Sequence, residues 1–405
     1  MSTTMEKDPR LTETDRSFGG YVTSAGRRIA SGDLGSLPVI VGLVVTWIIF
    51  TLLNDRFLSA LNITNLMLQI AATGTIAVGV TFVLLLGEID LSVGSVSGVT
   101  SAILAVLITR SGWGNGPAVV AAVVVGVLIG LIHGTLFTKA RMPAFVVTLA
   151  GLIGWQGLQL YVLGQGGSIN IPDGPVTALT DQFLVPAYGW GLAAICVLGF
   201  GAVQFTRRTA RSRAGLPTGD VTLLILQIVG LAVVLGVTVL VLNADRGVPM
   251  VILVYLVIIV VCAFLLRRTS FGRHLFAVGG NIEAARRAGI RVDAVRIAAF
   301  TISSALAAVG GILAASRLTA VTQSSGGGDV LLYAIAAAVI GGTSLFGGRG
   351  SVWSALLGMI VIGSITNGLD LLSVSSAVRF MVIGLVLVVA VLLDSLSRRG
   401  QPQRR

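Results

Sequence analysis

The chain repeatedly runs apolar and uncharged for about twenty residues, and this feature limits its folds more than any other. Twenty residues of α-helix rise about 30 Å, roughly the thickness of a bilayer's hydrocarbon core. Lipid offers no partner to a backbone N–H or C=O, so a spanning segment must be a helix or belong to a closed barrel. A barrel needs short segments of alternating polarity, whereas these runs are continuous. They predict helices over about residues 37–53, 66–86, 91–109, 118–137, 144–163, 187–205, 221–243, 248–266, 295–316, 329–346, 351–369 and 378–394. The expected fold class is therefore all-α: a polytopic membrane protein of about 12 hydrophobic spans (10 to 12). Composition agrees, since 55% of the 405 residues are hydrophobic and 11% are charged, far from a soluble domain.

Placing Met1 on the cytoplasmic side puts all but five of the 28 Lys and Arg residues on or beside inner segments; the exceptions are Arg56, Arg110, Arg246, Arg317 and Arg379. This is the asymmetry of the positive-inside rule, so both termini are expected in the cytoplasm. The net charge of +11 then reads as a topology and lipid-surface signal, and no nucleic-acid partner is expected. Residues 1–36 read as a flexible cytoplasmic tail, 37–394 as the transmembrane domain and 395–405 as a basic cytoplasmic tail. The outer connection 164–186, rich in Gly and Pro, reads as an irregular loop. Gly94-Ser95-Val96 laid over Gly350-Ser351-Val352 gives a weak internal echo, as paired halves of transporters do.

Little in the chain can do side-chain catalysis. Neither lysine, Lys7 or Lys139, lies in a Gly-Lys-Ser/Thr phosphate loop. His133 and His274 are far apart and lack companions at ligand spacing, so no metal site is expected. Cys196 and Cys262 both sit in apolar runs and form no disulfide framework. Glu88 and Asp90, by contrast, lie between two apolar runs, and an acid at a helix centre costs roughly 2.5–3.5 kcal/mol on insertion scales. Asp90 or Ser92 can cap or fix the turn into the next helix, and Glu88, Asp90 and Ser92 can also line a substrate path; the two roles are compatible. Gln69, Thr73, Thr75, Gln156 and Asn367 are uncharged polar groups within spans, suited either to transient hydrogen bonds with a polar solute or to holding helices together.

The largest inner segment, about 267–294, breaks at Gly279-Gly280-Asn281. It then offers good helix formers from Ile282 to Ala288 and stops at Gly289, which predicts a short glycine-capped helix. Its apolar side carries Ala284, Ala285 and Ala288, and such a helix suits docking into a partner's groove.

Glu283-Ala284-Ala285-x-x-x-Gly289 resembles the coupling loop of ABC importer permeases, which inserts into the ATPase subunit. Glu88 to Ser95, Met142 to Gly151, Ile340 to Leu345 with Gly350-Ser351, and Asn367-Gly368 resemble the ribose/xylose branch of that family, in order, from about residue 57 to 395. The extra length, the Arg-rich 206–220 loop with the span after it, and Asn243 to Pro249 are similar to the xylose members in particular. The family pattern departs at His133-Gly134, where Asn-Gly is expected, and no role carries over to His133, which also fits as packing between Gly130 and Gly134. The resemblance implies a type II-like ABC importer permease fold in the bacterial inner membrane, importing a monosaccharide, D-xylose foremost, by alternating access. It implies as partners a sugar-type ATPase subunit that binds the ATP, an external sugar-binding protein and a second copy of the permease. The permease itself would hold no cofactor and no catalytic residue, and Gly279, Gly280, Asn281, Glu283, Ala284, Ala285 and Gly289 would form the ATPase-coupling segment.

Two other classes remain open on the residues. An ion-coupled secondary sugar transporter would place an ionisable residue near mid-span, and a membrane enzyme acting on lipid-linked sugars would want clustered acids or histidines near one surface.

Overall fold

The computed structural model describes residues 37–216, 218 and 220–399. The expected tail 1–36 and residues 400–405 lie outside the described residues. Among the described residues twelve apolar helices overlap the twelve predicted ranges, and eight of them are long and apolar enough to cross a bilayer by themselves. In chain order these are α1 (Leu37–Leu53), α2 (Ala60–Leu85), α3 (Val93–Thr109), α4 (Asn115–Thr138), α5 (Ala144–Leu163), α7 (Pro186–Arg213), α8 (Val221–Asn243), α9 (Met250–Arg268), α12 (Val292–Leu318), α13 (Gly328–Ile340), α14 (Val352–Leu371) and α15 (Ser376–Arg399). The last continues past the expected boundary at 394.

Among the described residues three short helices accompany these: α6 (Ala178–Asp181), α10 (Ser270–Gly280) and α11 (Ile282–Arg287). The all-α expectation needs a small correction. Strand β1 (Ser168–Asn170) pairs antiparallel with β4 (Ala320–Thr322), and β2 (Phe183–Leu184) with β3 (Val248–Pro249). The connection 164–186 is thus structured rather than irregular. Each half of a pair supplies the hydrogen bonds that the other lacks, and the partner lies far along the chain.

At the centre stands α2, most of it buried, with α12, α13, α14 and α9 packed around it. Lipid tails are as apolar as Leu, so close packing and polar contacts rather than apolar burial must hold such helices together. The contact between α4 and α12 shows how. Gly126, Gly130 and Gly134 recur every fourth residue and so share one face of α4. A Cβ on them would come 2.6 Å from the Ala308 side chain, 2.6 Å from Phe300 O and 2.7 Å from Ile297 Cα. The missing side chains are what let the two backbones meet. The α7–α8 hairpin is the opposite case, since α7 buries only Gly189 and Ala193 and α8 only Val239 and Leu242.

At one face three glycine-bearing segments converge. The Leu85 carbonyl, an orphan at the end of α2, accepts from Gly348 N at 2.9 Å. Gly279 of α10 packs on the same carbonyl, and a Cβ at Gly347 would lie 2.7 Å from Gly279 O and 2.8 Å from Gly87 N. The neighbouring Gly280 has open space around it. Gly279→Ala should therefore destabilise the protein by about 2–4 kcal/mol through overpacking, whereas Gly280→Ala should cost nothing measurable. Thermal unfolding of the purified protein in nanodiscs checks the contrast, and equal behaviour of the two variants would refute the packing argument.

Candidate functional site

Helices α3 and α13 are short, and at about 1.5 Å per residue they rise roughly 26 and 20 Å. The chain between α12 and α13 fills the difference with non-helical backbone. Gly326, at φ +69°, packs against the backbone of Gly94 and Gly98, glycines of the first two turns of α3. Irregular backbone inside a membrane bundle is tolerated where it lines a cavity, and a cavity of about 270 Å³ lies here. Gln69 and Thr73 of α2 line it, with Ser97 and Ser101 of α3, Thr322 and Ser324 to Gly326 of the irregular segment, Tyr333 of α13 and Thr366 of α14. Charged lining groups come from helix ends: Arg317 in the last turn of α12, Asp329 in the first turn of α13 and Arg379 near the start of α15. Arg379 is ion-paired with Asp370 at the end of α14.

The structure brings only some of the sequence candidates to this cavity. Gln69 and Thr73 belong to it. Thr75 donates to Ala71 O within its own helix at 2.8 Å. Gln156 is exposed on the outer surface of the bundle and takes no part in the lining, a correction to the path role. The buried amide of α5 is Gln159, whose Nε2 donates to Thr322 O at 3.0 Å and Ser325 O at 2.9 Å and so holds the irregular segment in place. Asn367 also leaves the path. Its amide exchanges two hydrogen bonds with Asn62, Nδ2 to Oδ1 at 3.0 Å one way and 2.8 Å the other, which joins α14 to α2.

Glu88, Asp90 and Ser92 lie outside the cavity lining as well. Glu88 is 3.9 Å from Arg296; burial raises its carboxyl above the ordinary carboxylate range and Arg296 partly offsets that. Asp90 fixes the turn rather than capping α3. Its Oδ1 accepts from Ser92 N at 2.9 Å and Ser92 Oγ at 2.6 Å, while Ser92, at the N-cap position, makes no side-chain cap bond among the described residues. His133, which the sequence fits as packing between Gly130 and Gly134, is buried beside Ser92 and Trp155.

The segment after α9 is organised as two helices. Its first, α10, was not expected; the Thr269 side chain caps it by accepting from Gly272 N at 3.3 Å. The break falls at Asn281, whose Oδ1 accepts from Ala284 N at 2.9 Å and caps α11. Gly289 follows at φ +78°, and its N–H donates to Arg286 O at 2.9 Å, the left-handed glycine stop that the pattern predicts. Glu283 is exposed and pairs with Arg286 at 3.0 Å, and Ala285 is turned inward and buried. Gly279 joins this unit to the ends of α2 and of the 341–351 loop.

The polytopic bundle with its polar cavity fits the permease subunit of a transport system, as its relatives are, rather than an enzyme. Residues 62–391 match the family described as the permease component of the branched-chain amino acid transport system, and the chain belongs to that family. It is 34% identical over 373 residues to the xylose transport system permease protein of Escherichia coli K12, covering 92% of this chain and 94% of that protein. It is 33% identical over 373 residues to the xylose transport system permease protein of Haemophilus influenzae Rd, covering 92% and 99%. It is also 34% identical over 367 residues to the ribose import permease protein of Bacillus subtilis 168, covering 90% and 94%. No solved structure matches the chain. It is accordingly a multi-pass protein of the bacterial inner membrane.

The Asn62–Asn367 pair makes a direct prediction. Removing Asn62 leaves the Asn367 amide without this partner at a cost of about 1–3 kcal/mol, whereas removing Asn367 still leaves Asn62 Nδ2 its bond to Phe57 O at 2.8 Å. A double-mutant cycle with Leu at both positions should give a coupling of about 0.6–1.7 kcal/mol, the range for such bonds within membranes. Unfolding of the four proteins in nanodiscs measures it, and a coupling of zero would make the pair incidental.

Proposed function

We propose that this chain is the membrane-spanning permease of an ATP-driven importer of a small sugar, D-xylose foremost, and that the sugar passes through the cavity between α2, α3, α12 and α13. The observation that carries the reading is the cavity wall. Hydroxyls of Thr73, Ser97, Ser101, Tyr333 and Thr366, the Gln69 amide and loop carbonyls suit a neutral polyol, and charge enters only from helix ends. The similarity to xylose and ribose permeases supports the same class.

In this reading all twelve apolar helices are spans of one permease domain, 37–394, and both termini are cytoplasmic. The segment Gly279, Gly280, Asn281, Glu283, Ala284, Ala285 and Gly289 meets a partner ATPase, which binds and hydrolyses the ATP. Two copies of the permease, two ATPase subunits and an external sugar-binding protein complete the machine. The glycine junction at Gly87, Gly279, Gly347 and Gly348 gives the docking helix a stiff connection to α2, the helix that presents Gln69 and Thr73. Asp90 and Ser92 act in holding α3 rather than in contacting sugar. An ion-coupled carrier is disfavoured because no acid stands at mid-span: Asp90 lies in the turn before α3, away from the cavity, and Asp329, which does line it, sits in the first turn of α13.

Uptake of labelled xylose into proteoliposomes with internal ATP should require the ATPase and the binding protein, with unlabelled ribose as a weaker competitor and leucine as none. Uptake driven by an ion gradient without ATP, or competition by leucine alone, would overturn the assignment. Gly289→Ala places a side chain at a left-handed position costing roughly 1–2 kcal/mol and, with Glu283→Ala, should reduce ATPase co-purification. Gln69→Leu should instead slow uptake while the complex still assembles. Normal assembly of the Glu283/Gly289 double variant would remove α11 as the docking helix.

A further inference from the structure

Asp90, Ser92, His133 and Trp155 form a buried polar chain that neither the cavity nor the docking segment uses. Asp90 is 1% exposed and His133 2%, and the four side chains come from the turn before α3, from α4 and from α5. Their hydrogen-bond directions follow from donor chemistry. An indole N–H only donates, so Trp155 Nε1, 2.9 Å from His133 Nε2, makes that ring nitrogen an acceptor without a hydrogen. On the other side Ser92 Oγ donates to Asp90 Oδ1 at 2.6 Å and has only lone pairs left for His133 Nδ1 at 3.3 Å. Nδ1 therefore carries the ring hydrogen and the imidazole is neutral, with both nitrogens committed.

The place of this chain in the fold gives it a purpose. The first turn of α3 has no side-chain cap of its own among the described residues, and Asp90 and Ser92 are what shape it. Through His133 and Trp155 the same two residues reach α4 and α5. Room for the ring comes from Gly151, where a Cβ would lie 2.6 Å from His133 Nε2 and 3.2 Å from Ser92 Cβ. A turn and two further residues along α3 are Ser97 and, beyond it, Ser101, both in the cavity wall.

We propose that His133 is a positioning residue, locked as the Nδ1–H tautomer by Trp155 and bonded through Ser92 to Asp90, so that the start of α3 and its cavity hydroxyls are fixed to α4 and α5. The effect on transport rests on the function proposed above; the tautomer does not. The full-length protein in nanodiscs, labelled with 15N-histidine, holds only His133 and His274, and a His133→Asn preparation identifies the His133 signals. The ring should show a hydrogen on Nδ1 and a bare Nε2, the reverse of the preference of a free histidine side chain, and Trp155→Phe should abolish that bias. A hydrogen on Nε2 in the wild type, or an unchanged tautomer in Trp155→Phe, would overturn the lock.

For the positioning role, His133→Asn keeps a donor towards Ser92 whereas His133→Leu does not. In the assembled transporter Asn should hold uptake within about threefold of wild type, while Leu, and independently Ser92→Ala, should lower it about tenfold, as expected for a lost buried bond. Wild-type uptake in both Leu and Ala variants would overturn the positioning role. Failure of the wild type itself to import sugar would refute the transport reading and leave the tautomer standing on its spectrum.

Discussion

Two helices in lipid gain nothing by removing apolar surface from water, so they stay together only where their backbones can come close or their polar groups can pair. The rest of this bundle depends on that. Gly126, Gly130 and Gly134 let α4 lie against α12 on one side. Gly310 and Gly311 on α12 do the same towards Ala72 and Ile76 of α2 and Ser97 of α3. With α12 held closely on both flanks, α2, α3 and α12 have one relative placement, and the cavity is the space that placement leaves.

The cavity also resolves a difficulty of the backbone. Helices α3 and α13 are too short to carry the chain across by themselves, and residues 319–327 make up the distance without helical hydrogen bonding. Their carbonyls need partners. Gln159 supplies two donors, to Thr322 and Ser325, and the Ser325 hydroxyl accepts from Thr322 N at 2.9 Å. What results on this side of the cavity is a row of neutral dipoles, while its charged groups, Arg317, Asp329 and Arg379, come from helix ends.

The helices were legible because each apolar run is long and no other structure can satisfy so much backbone in lipid. Their orientations were much less so. On α5 apolar residues surround the axis, so periodicity does not say which face turns inward, and Gln156 and Gln159 look alike in sequence although Gln159 is the buried amide. The repeat of Gly126, Gly130 and Gly134 was the available signal for the inward face of α4. The short helix α11 was legible from its break to its glycine stop because Asn281 and Gly289 are local devices whose partners lie within four residues. The Asp90 to Trp155 chain was not. Its members are spread over 65 positions, and only the packing of three helices brings them together. The pairing of β1 with β4 escaped for the same reason.

Asn62 and Asn367 are 305 residues apart, and ribosomes add roughly 5–20 residues per second. The amide of Asn62 therefore emerges about 15 to 60 s before its partner exists. Throughout that interval α2, the helix around which the others gather, carries an amide whose eventual mate has not been made. The join between α2 and α14 is a late step of biogenesis, timed by the length of the message rather than by the strength of the bond, and the bundle must stay open along that seam until nearly the whole chain has been synthesised.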